Sequence, residues 1–293
     1  MDAFDPAAFD LSRLHAETTG PEGAPPLLVL HGWGSSALMM RPVADVLADR
    51  FRVYNVDLPG HGRTPAPPAP WGVPEYAALV ARYLAGQRIA GPIPAVGHSN
   101  GGRILLYMAS EDAYAGLFSR LVLVSPSGVT PRRGAGYHAR RVAARALKAP
   151  FELLPDGAAK DFGLDWLRHS LVWRALGSSD YNRLTGTMRG TFVRTVGHHL
   201  DDRLGRIAAP VLVLWGDRDE AVSRYQMDVL TARVPDAGLV VLDGAGHYGY
   251  LDRMDLVEAA ARAFLAEAPE AAPSEAEPAG VSDDEASTEP HGA

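Results

Sequence analysis

The chain contains no cysteine among its 293 residues. Disulfide bridges, thiolate nucleophiles and cysteine-ligated metal sites are therefore excluded. The sequence also lacks a run of roughly 18 uninterrupted apolar residues, which a membrane-spanning helix needs. Its first ten residues, MDAFDPAAFD, have neither the basic start nor the apolar run of a signal peptide. These absences favour a cytoplasmic protein without a membrane span.

Positive charge is absent from the C-terminal end of the chain. Residues 267–293 carry eight acidic side chains and neither Lys nor Arg, so removing them changes the formal net charge from −7 to +1. The rest of the chain is nearly neutral, and nothing in it indicates a nucleic-acid surface. The tail has few large apolar residues and buries too little to offset the entropy of ordering it. We expect residues 267–293 to form an acidic, disordered tail.

Short apolar runs alternate with longer helical patterns over most of the chain. The strand-like runs lie at residues 26–31, 52–57, 93–98, 120–125, 210–215 and 238–243. The helical patterns lie at residues 37–50, 74–87, 100–110, 224–234 and 255–268. Strands that are apolar on both faces are typical of a parallel sheet covered by helices on both sides. The pattern predicts an α/β fold with a mostly parallel central sheet, and residues 11–18 predict an earlier edge strand.

The alternation stops between residues 127 and 206. This interval contains short amphipathic patterns that are broken by Gly and Pro. An insertion at the carboxyl edge of an open α/β sheet lies over the crevice where ligands bind. We therefore predict a core formed by residues 1–126 and 207–266, with a helical cap at 127–206. The sequence leaves the oligomeric state open.

Glycine and reactive side chains cluster where the predicted strands end. The segments are HGWG (31–34), DLPGHGRT (57–64), GHSNGG (97–102), LWGDRDEAV (214–222) and GAGH (244–247). Ligands of open α/β sheets bind beyond the carboxyl ends of the strands, so we expect these segments to meet at one edge. A serine, an aspartate and a histidine would then lie together, in that chain order.

In their order and spacing, these five segments resemble the α/β-hydrolase fold family, and in particular capped bacterial serine hydrolases of esterase type. The resemblance implies that Ser99 is a nucleophile on a strained strand–turn–helix corner. It implies that His247 is the general base and that a carboxylate orients it. The family pattern Gly-x-x-Asp places that acid at Asp219, and we expect Asp217 to have a structural role.

The same resemblance implies an oxyanion hole made by the backbone N–H groups of Trp33 and Asn100. His31 is expected to hold the oxyanion loop by packing and hydrogen bonding. The side chain of His98 is expected to point away from Ser99, because adjacent strand residues face opposite sides. The side chain of Asn100 departs from the apolar residue that is commoner in relatives, and it either contacts substrate or caps the following helix.

The resemblance therefore implies a serine hydrolase that cleaves a small-to-medium ester or related acyl bond through an acyl-enzyme. Its partner would be a small-molecule acyl substrate, and no metal or organic cofactor is implied. The predicted cap contributes four candidate substrate-binding side chains, which are Trp166, Trp173, Met188 and Phe192. Because a triad does not fix the reaction, the alternatives are a lyase or carbon–carbon bond hydrolase, a haloperoxidase-like enzyme and a non-catalytic ligand receptor.

Overall fold

A computed structural model describes residues 9–132 and 184–266, together with scattered positions between 142 and 157. Its described strands are β1 (Ala16–Thr19), β2 (Pro26–Leu30), β3 (Arg52–Val56), β4 (Ile93–His98), β5 (Phe118–Val124), β6 (Val211–Gly216) and β7 (Ala237–Leu242). They form one sheet in the order β1-β3-β2-β4-β5-β6-β7. β1 is antiparallel to β3, and the other neighbouring strands are parallel.

Helices cover both faces of this sheet. In the described residues they are α1 (Ala37–Leu47), α2 (Val73–Gly86), α3 (Asn100–Ser110), α4 (Gly186–Val196), α5 (Arg224–Arg233), α6 (Gly249–Asp252) and α7 (Met254–Ala266). One buried cluster joins the sheet to α2, α3 and α5, and a second joins it to α1, α6 and α7. The predicted α/β class and mostly parallel sheet are confirmed. Within the described part of the chain, no helix has the length and apolar character needed to cross a bilayer.

Residues 27–30 of β2 are apolar at every position because both faces of the strand are buried. In β2, Leu28 and Leu30 belong to the cluster shared with α2 and α3. Leu27 and Val29 belong to the cluster shared with α1 and α7. Successive strand residues point to opposite faces, so a strand between two helical layers needs apolar residues at consecutive positions.

The N-terminal edge of the sheet differs from the prediction of a strand over 11–18. A 3₁₀ turn occupies Leu11–Arg13, and β1 begins only at Ala16. The Asp10 carboxylate accepts a hydrogen bond from the Ser12 N–H at 2.9 Å, which stabilises the turn. Such local side-chain bonds compete with the extended conformation, and the first part of the predicted strand was wrong for this reason.

The corner between β4 and α3 depends on close contact between backbones. A Cβ atom on Gly101 would lie 2.7 Å from the carbonyl oxygen of His31, and closer still to that of Leu30. A Cβ atom on Gly97 would lie 2.7 Å from the backbone nitrogen of Gly102. No side chain fits at either position without moving the backbone. Glycine therefore lets the first turn of α3 pack directly against the ends of β2 and β4.

Replacing Gly101 by alanine should destabilise the fold, by about 1–3 kcal/mol, because the added methyl group overlaps carbonyl oxygens that end β2. The matched control is Gly86→Ala at the end of α2, where an added Cβ atom meets nothing within 4 Å. That change should be neutral or stabilise the protein by up to about 1 kcal/mol. Urea-induced unfolding of the two variants measures the difference. Equal stability of the two variants would contradict the packing at this corner.

Candidate active site

Ser99 occupies the corner between β4 and α3 in a conformation that non-glycine residues rarely adopt. Its φ is 48° and its ψ is −108°. Hydrogen bonds hold the backbone on both sides of this residue. The Ser99 N–H donates to the carbonyl oxygen of Val124 at 3.0 Å. The Ser99 carbonyl accepts from the N–H groups of Arg103 and Ser127, both at 3.1 Å. Positive φ at a residue with a side chain stores strain that neighbouring contacts must maintain. These contacts keep the partly exposed Ser99 at the carboxyl edge of the sheet.

His247 and Asp219 form a hydrogen-bonded pair at the same edge. His247 Nδ1 lies 2.9 Å from Asp219 Oδ2, and the Asp219 side chain is completely buried. The other carboxylate oxygen accepts from the N–H groups of Ala221 and Val222 at 2.8 and 2.9 Å. Burial alone would raise the pKa of Asp219, but the hydrogen bonds from His247 and Val222 outweigh it and lower that pKa. An ionised Asp219 makes Nδ1 the protonated nitrogen of a neutral His247, which leaves Nε2 free to accept a proton.

Two loops must approach closely to form this pair. A Cβ atom on Gly216, at the end of β6, would overlap the carbonyl oxygen of Ala245. The Asp217 carboxylate accepts from the Gly244 N–H at 2.8 Å and so ties the same two loops together from the exposed side. Asp217 thus bonds to backbone, whereas Asp219 bonds to His247.

The structure brings the imidazole and the carboxylate together but does not join Ser99 to them. Among the described residues, the Ser99 hydroxyl has no hydrogen-bond partner. His247 is nevertheless next to the corner, because its ring centroid lies 4.9 Å from that of His98. His98 Nε2 also donates to the carbonyl oxygen of His247 at 3.0 Å. Hydrogen bonds between a serine and its base are often long without substrate and tighten when substrate binds.

The loop after β2 lies directly against Ser99. A Cβ atom on Gly32 would lie 3.1 Å from the Ser99 Cβ atom and 2.7 Å from His98 Nδ1. His31 Nδ1 donates to the Gly32 carbonyl at 2.7 Å, and His31 Nε2 accepts from the Leu58 N–H at 2.9 Å. Burial lowers the pKa of His31 to about 4. A neutral His31 therefore links this loop to the segment after β3, and the His98 ring packs against Gly32 of the loop.

Asp57 clamps the far end of this loop, a role that the sequence analysis did not assign. Its Oδ1 atom accepts from the Ala37 N–H at 2.6 Å, at the start of α1. Its Oδ2 atom accepts from the Arg63 N–H and lies 2.9 Å from His15 Nδ1. Asn55 Nδ2 donates to the carbonyl oxygen of Ala37 at 2.7 Å. The position of Asp57 just past a strand end is the sequence signal that would have suggested it.

Asn100 directly follows Ser99 in the chain, and Trp33 directly follows Gly32, which packs against the Ser99 side chain. Neither residue's backbone N–H donates to an acceptor among the described residues. The ring of Trp33 packs between His61 and Phe192, with centroid distances of 4.8 and 5.2 Å. Two unpaired backbone donors beside a hydroxyl are the chemical components of an oxyanion site.

Of the four predicted substrate-binding side chains, two lie in α4 near this edge. Phe192 packs on Trp33, and the Met188 sulfur fills the space that a Cβ atom on Gly60 would occupy. Both side chains are half-buried. Trp166 and Trp173 lie outside the described residues. α4 therefore crosses the carboxyl ends of β2 and β3.

Two buried polar contacts hold α4 in place. The Trp71 N–H donates to Thr191 Oγ1 at 3.0 Å. The Arg103 guanidinium, which is 6% exposed, donates to the carbonyl oxygen of Thr195. Burial lowers the pKa of Arg103 to about 10. Sequence analysis overlooked Arg103, because an arginine one turn into a helix is usually exposed and nothing local indicates a contact 92 residues away.

Ionisable side chains around the site form pairs. His247 pairs with Asp219, and His15 pairs with Asp57. Across residues 9–132 and 184–266, no group of three or more His, Asp or Glu side chains is arranged to hold a metal ion. The arrangement offers a hydroxyl, a histidine–carboxylate pair and two backbone donors, which are the components of nucleophilic acyl transfer.

Comparison with known proteins identifies similar sequences. The profile of the alpha/beta hydrolase fold matches residues 25–253. An uncharacterised protein of Mycobacterium tuberculosis is 30% identical over 260 residues, which cover 80% of this chain and 74% of that protein. A pimeloyl-[acyl-carrier protein] methyl ester esterase of Xanthomonas campestris is 27% identical over 277 residues, which cover 87% of this chain and all of that protein.

Solved structures share the architecture. The enol-lactonase of Burkholderia xenovorans superposes with a TM-score of 0.64 at 23% identity, and the match covers 87% of this chain and 96% of the lactonase. A hydrolase of Pseudomonas aeruginosa superposes with the same TM-score at 21% identity, over 87% of this chain and 94% of the hydrolase. At these identities the likeness establishes the fold.

Histidine NMR tests the electrostatics of this edge. We predict that His31 is the Nδ1–H tautomer and His98 the Nε2–H tautomer, because each donates from that nitrogen to a carbonyl. Burial, together with the charge of His247 for His98, lowers their pKa values to about 4 and about 3, so both rings should stay neutral above pH 5. Nitrogen chemical shifts assigned with His31→Asn and His98→Asn variants measure this. Titration of either ring between pH 6 and 7 would contradict it.

Proposed function

The chain belongs to the α/β hydrolase fold family, and we propose that it is a serine hydrolase that cleaves a small-to-medium ester or related acyl bond. The observation that carries this proposal is the strained Ser99 corner near a hydrogen-bonded His247–Asp219 pair whose carboxylate is buried. A hydroxyl is a weak nucleophile until a base removes its proton. The proposal therefore assigns Ser99 as nucleophile, His247 as base and Asp219 as the acid that orients it.

The reaction then proceeds through an acyl-enzyme. Ser99 Oγ attacks the substrate carbonyl carbon while His247 Nε2 takes the hydroxyl proton. The N–H groups of Trp33 and Asn100 stabilise the resulting oxyanion, and each such donor is typically worth about 3–4 kcal/mol in the transition state. Protonated His247 gives its proton to the leaving alcohol as the tetrahedral intermediate collapses. A water molecule, deprotonated by His247, then attacks the acyl-enzyme and releases the acid.

Buried Asp219 supports the role of His247 in two ways. Its Oδ2 atom holds Nδ1 as the donor, so that Nε2 carries the lone pair. Its negative charge stabilises the imidazolium that forms during attack. The two backbone N–H groups that bond Asp219 Oδ1 keep the carboxylate fixed and ionised without competing for His247.

Ester chemistry is also supported by the relatives. The Xanthomonas relative is named as a methyl ester esterase, and it aligns along its whole length with this chain. We infer the ester class of substrate from this likeness, not the particular acyl group. We further propose that residues 127–206 form a cap over the site, in which Met188 and Phe192, with Trp166 and Trp173, line an apolar pocket for the acyl or alcohol part.

An active-site-directed probe tests the proposed nucleophile. A fluorophosphonate should label the wild-type protein, and Ser99→Ala should abolish labelling and lower kcat for simple esters by up to about 10⁶-fold. The matched control is Ser110→Ala at the end of α3, where the hydroxyl bonds to the Tyr107 carbonyl of the same helix. That variant should label normally. Folded wild-type protein that neither labels nor turns over esters would contradict the proposal.

A pair of variants tests the proposed acid. Asp219→Asn should lower kcat by about 10³- to 10⁴-fold, because the amide keeps the shape but can hold His247 in the wrong tautomer and cannot stabilise its charge. Asp217→Asn should retain most activity, because Asp217 bonds to the Gly244 N–H and not to His247. Steady-state kinetics on one ester compares the two. A severe loss of kcat in Asp217→Asn, together with near-normal kcat in Asp219→Asn, would reverse the assignment of the acid.

A further inference from the structure

The side chain of Asn100 is buried without a hydrogen-bond partner. The residue is 4% exposed, and neither Oδ1 nor Nδ2 has a partner within the described part of the chain. Buried side-chain amides are nearly always paired, because an unpaired donor or acceptor loses its water without compensation. The described part of the chain therefore offers no partner for this amide, which lies directly after Ser99.

The neighbouring residues of α3 show which way this side chain projects. Residues of a helix are rotated by about 100° from one to the next. Gly101 faces the carbonyl ends of β2, Gly102 faces Pro126, and Arg103 reaches the carbonyl oxygen of Thr195 in α4. Asn100 is two residues from Gly102, so it projects on nearly the opposite side of the helix. Its side chain therefore points between the direction of Gly101, which faces the end of β2, and that of Arg103, which faces α4.

Two contacts join α4 to the elements around Asn100. At one point Phe192 packs on Trp33 of the loop after β2, and one turn later Thr195 receives the Arg103 hydrogen bond. The Thr195 hydroxyl, like the Asn100 amide, is buried and unpaired among the described residues. Two neighbouring elements of this edge, α3 and α4, therefore each carry a buried polar side chain that has no partner in the described part of the chain.

We propose that the Asn100 amide is a specificity-determining group that binds a hydroxyl substituent of the substrate close to the reacting carbonyl. This inference rests on the proposed function, in which the Asn100 N–H binds the oxyanion. The amide atoms of an asparagine lie within about 4–5 Å of its own backbone nitrogen. The recognised hydroxyl would therefore be carried by the second or third carbon of the acyl group.

A hydroxyl matches both unpaired atoms. It can accept from Nδ2 and donate to Oδ1 at the same time. A ketone or carboxylate can only accept and would leave Oδ1 unpaired, while an ammonium can only donate and would leave Nδ2 unpaired. A site built to bond a substrate hydroxyl rejects the analogue that lacks it, because its own polar groups are then left unpaired.

Paired esters test this assignment. The substrates are the ethyl esters of 2-hydroxybutanoate and 3-hydroxybutanoate, each compared with the ester that carries a methyl group in place of the hydroxyl, and acid release is followed by pH-stat. The wild type should favour at least one hydroxy ester by about 10- to 100-fold in kcat/KM. Asn100→Leu should bring that ratio close to one. The same variant should raise Tm, because an apolar side chain of similar size replaces an unpaired buried amide.

The matched control is Asn55→Leu. Asn55 is buried like Asn100, but its Nδ2 atom is bonded to the carbonyl oxygen of Ala37. This variant should lower Tm and leave the ratio between the paired esters unchanged. A structural role for Asn100 would instead give a lower Tm in Asn100→Leu with the wild-type ratio.

Two results would overturn the assignment and leave the proposed function intact. The first is a wild type that hydrolyses the esters without preferring either hydroxy substrate, as expected if Asn100 binds only water. The second is an Asn100→Leu variant that keeps the preference of the wild type. Wild-type protein that hydrolyses none of the esters and also fails to react with a fluorophosphonate would contradict the proposed function, and this inference with it.

Discussion

The arrangement at the carboxyl edge depends on one steric constraint, which is the contact between the first turn of α3 and the backbone that ends β2. Gly101 has no side chain, so the helix can approach the Leu30 and His31 carbonyls closely. That approach turns the chain sharply after β4 and leaves Ser99 with a φ of 48°. It also sets Ser99 against Gly32. One close packing contact therefore determines where both the hydroxyl and the neighbouring N–H donors lie.

Buried histidine and aspartate side chains then fix the surrounding loops by different hydrogen bonds. His31, kept uncharged by burial, bonds the loop after β2 to the segment after β3. Asp57, with both oxygens accepting hydrogen bonds, anchors the end of that loop at Ala37. Asp219 does the same for the loop that carries His247. Such outer contacts hold reactive groups in place so that little reorganisation is needed during reaction.

Sequence patterns predicted the features that depend on local periodicity or on glycine. The strand at 93–98 and the helix at 100–110 match β4 and α3 residue for residue. The strand ends predicted that an aspartate and a histidine would lie together, but only the resemblance singled out Asp219, since no local pattern links it to a residue 28 positions away. The position of Asp57 past a strand end indicates a role at this edge, but its partner Ala37 and the Arg103–Thr195 bond were not predictable, because both contacts join distant segments through tertiary packing. The edge strand was placed too early, because the Asp10 bond to Ser12 stabilises a turn.

The central claim is that the strained serine forms a covalent bond to the acyl group. Acid-quench mass spectrometry tests this directly. The protein is mixed with an activated acetate ester, quenched with acid before the first turnover is complete, and digested for peptide mapping. The account predicts an acetyl group on the peptide that contains Ser99, present during turnover and absent once substrate is exhausted. Turnover with no acetylated peptide, or with the acetyl group only on another residue, would contradict it.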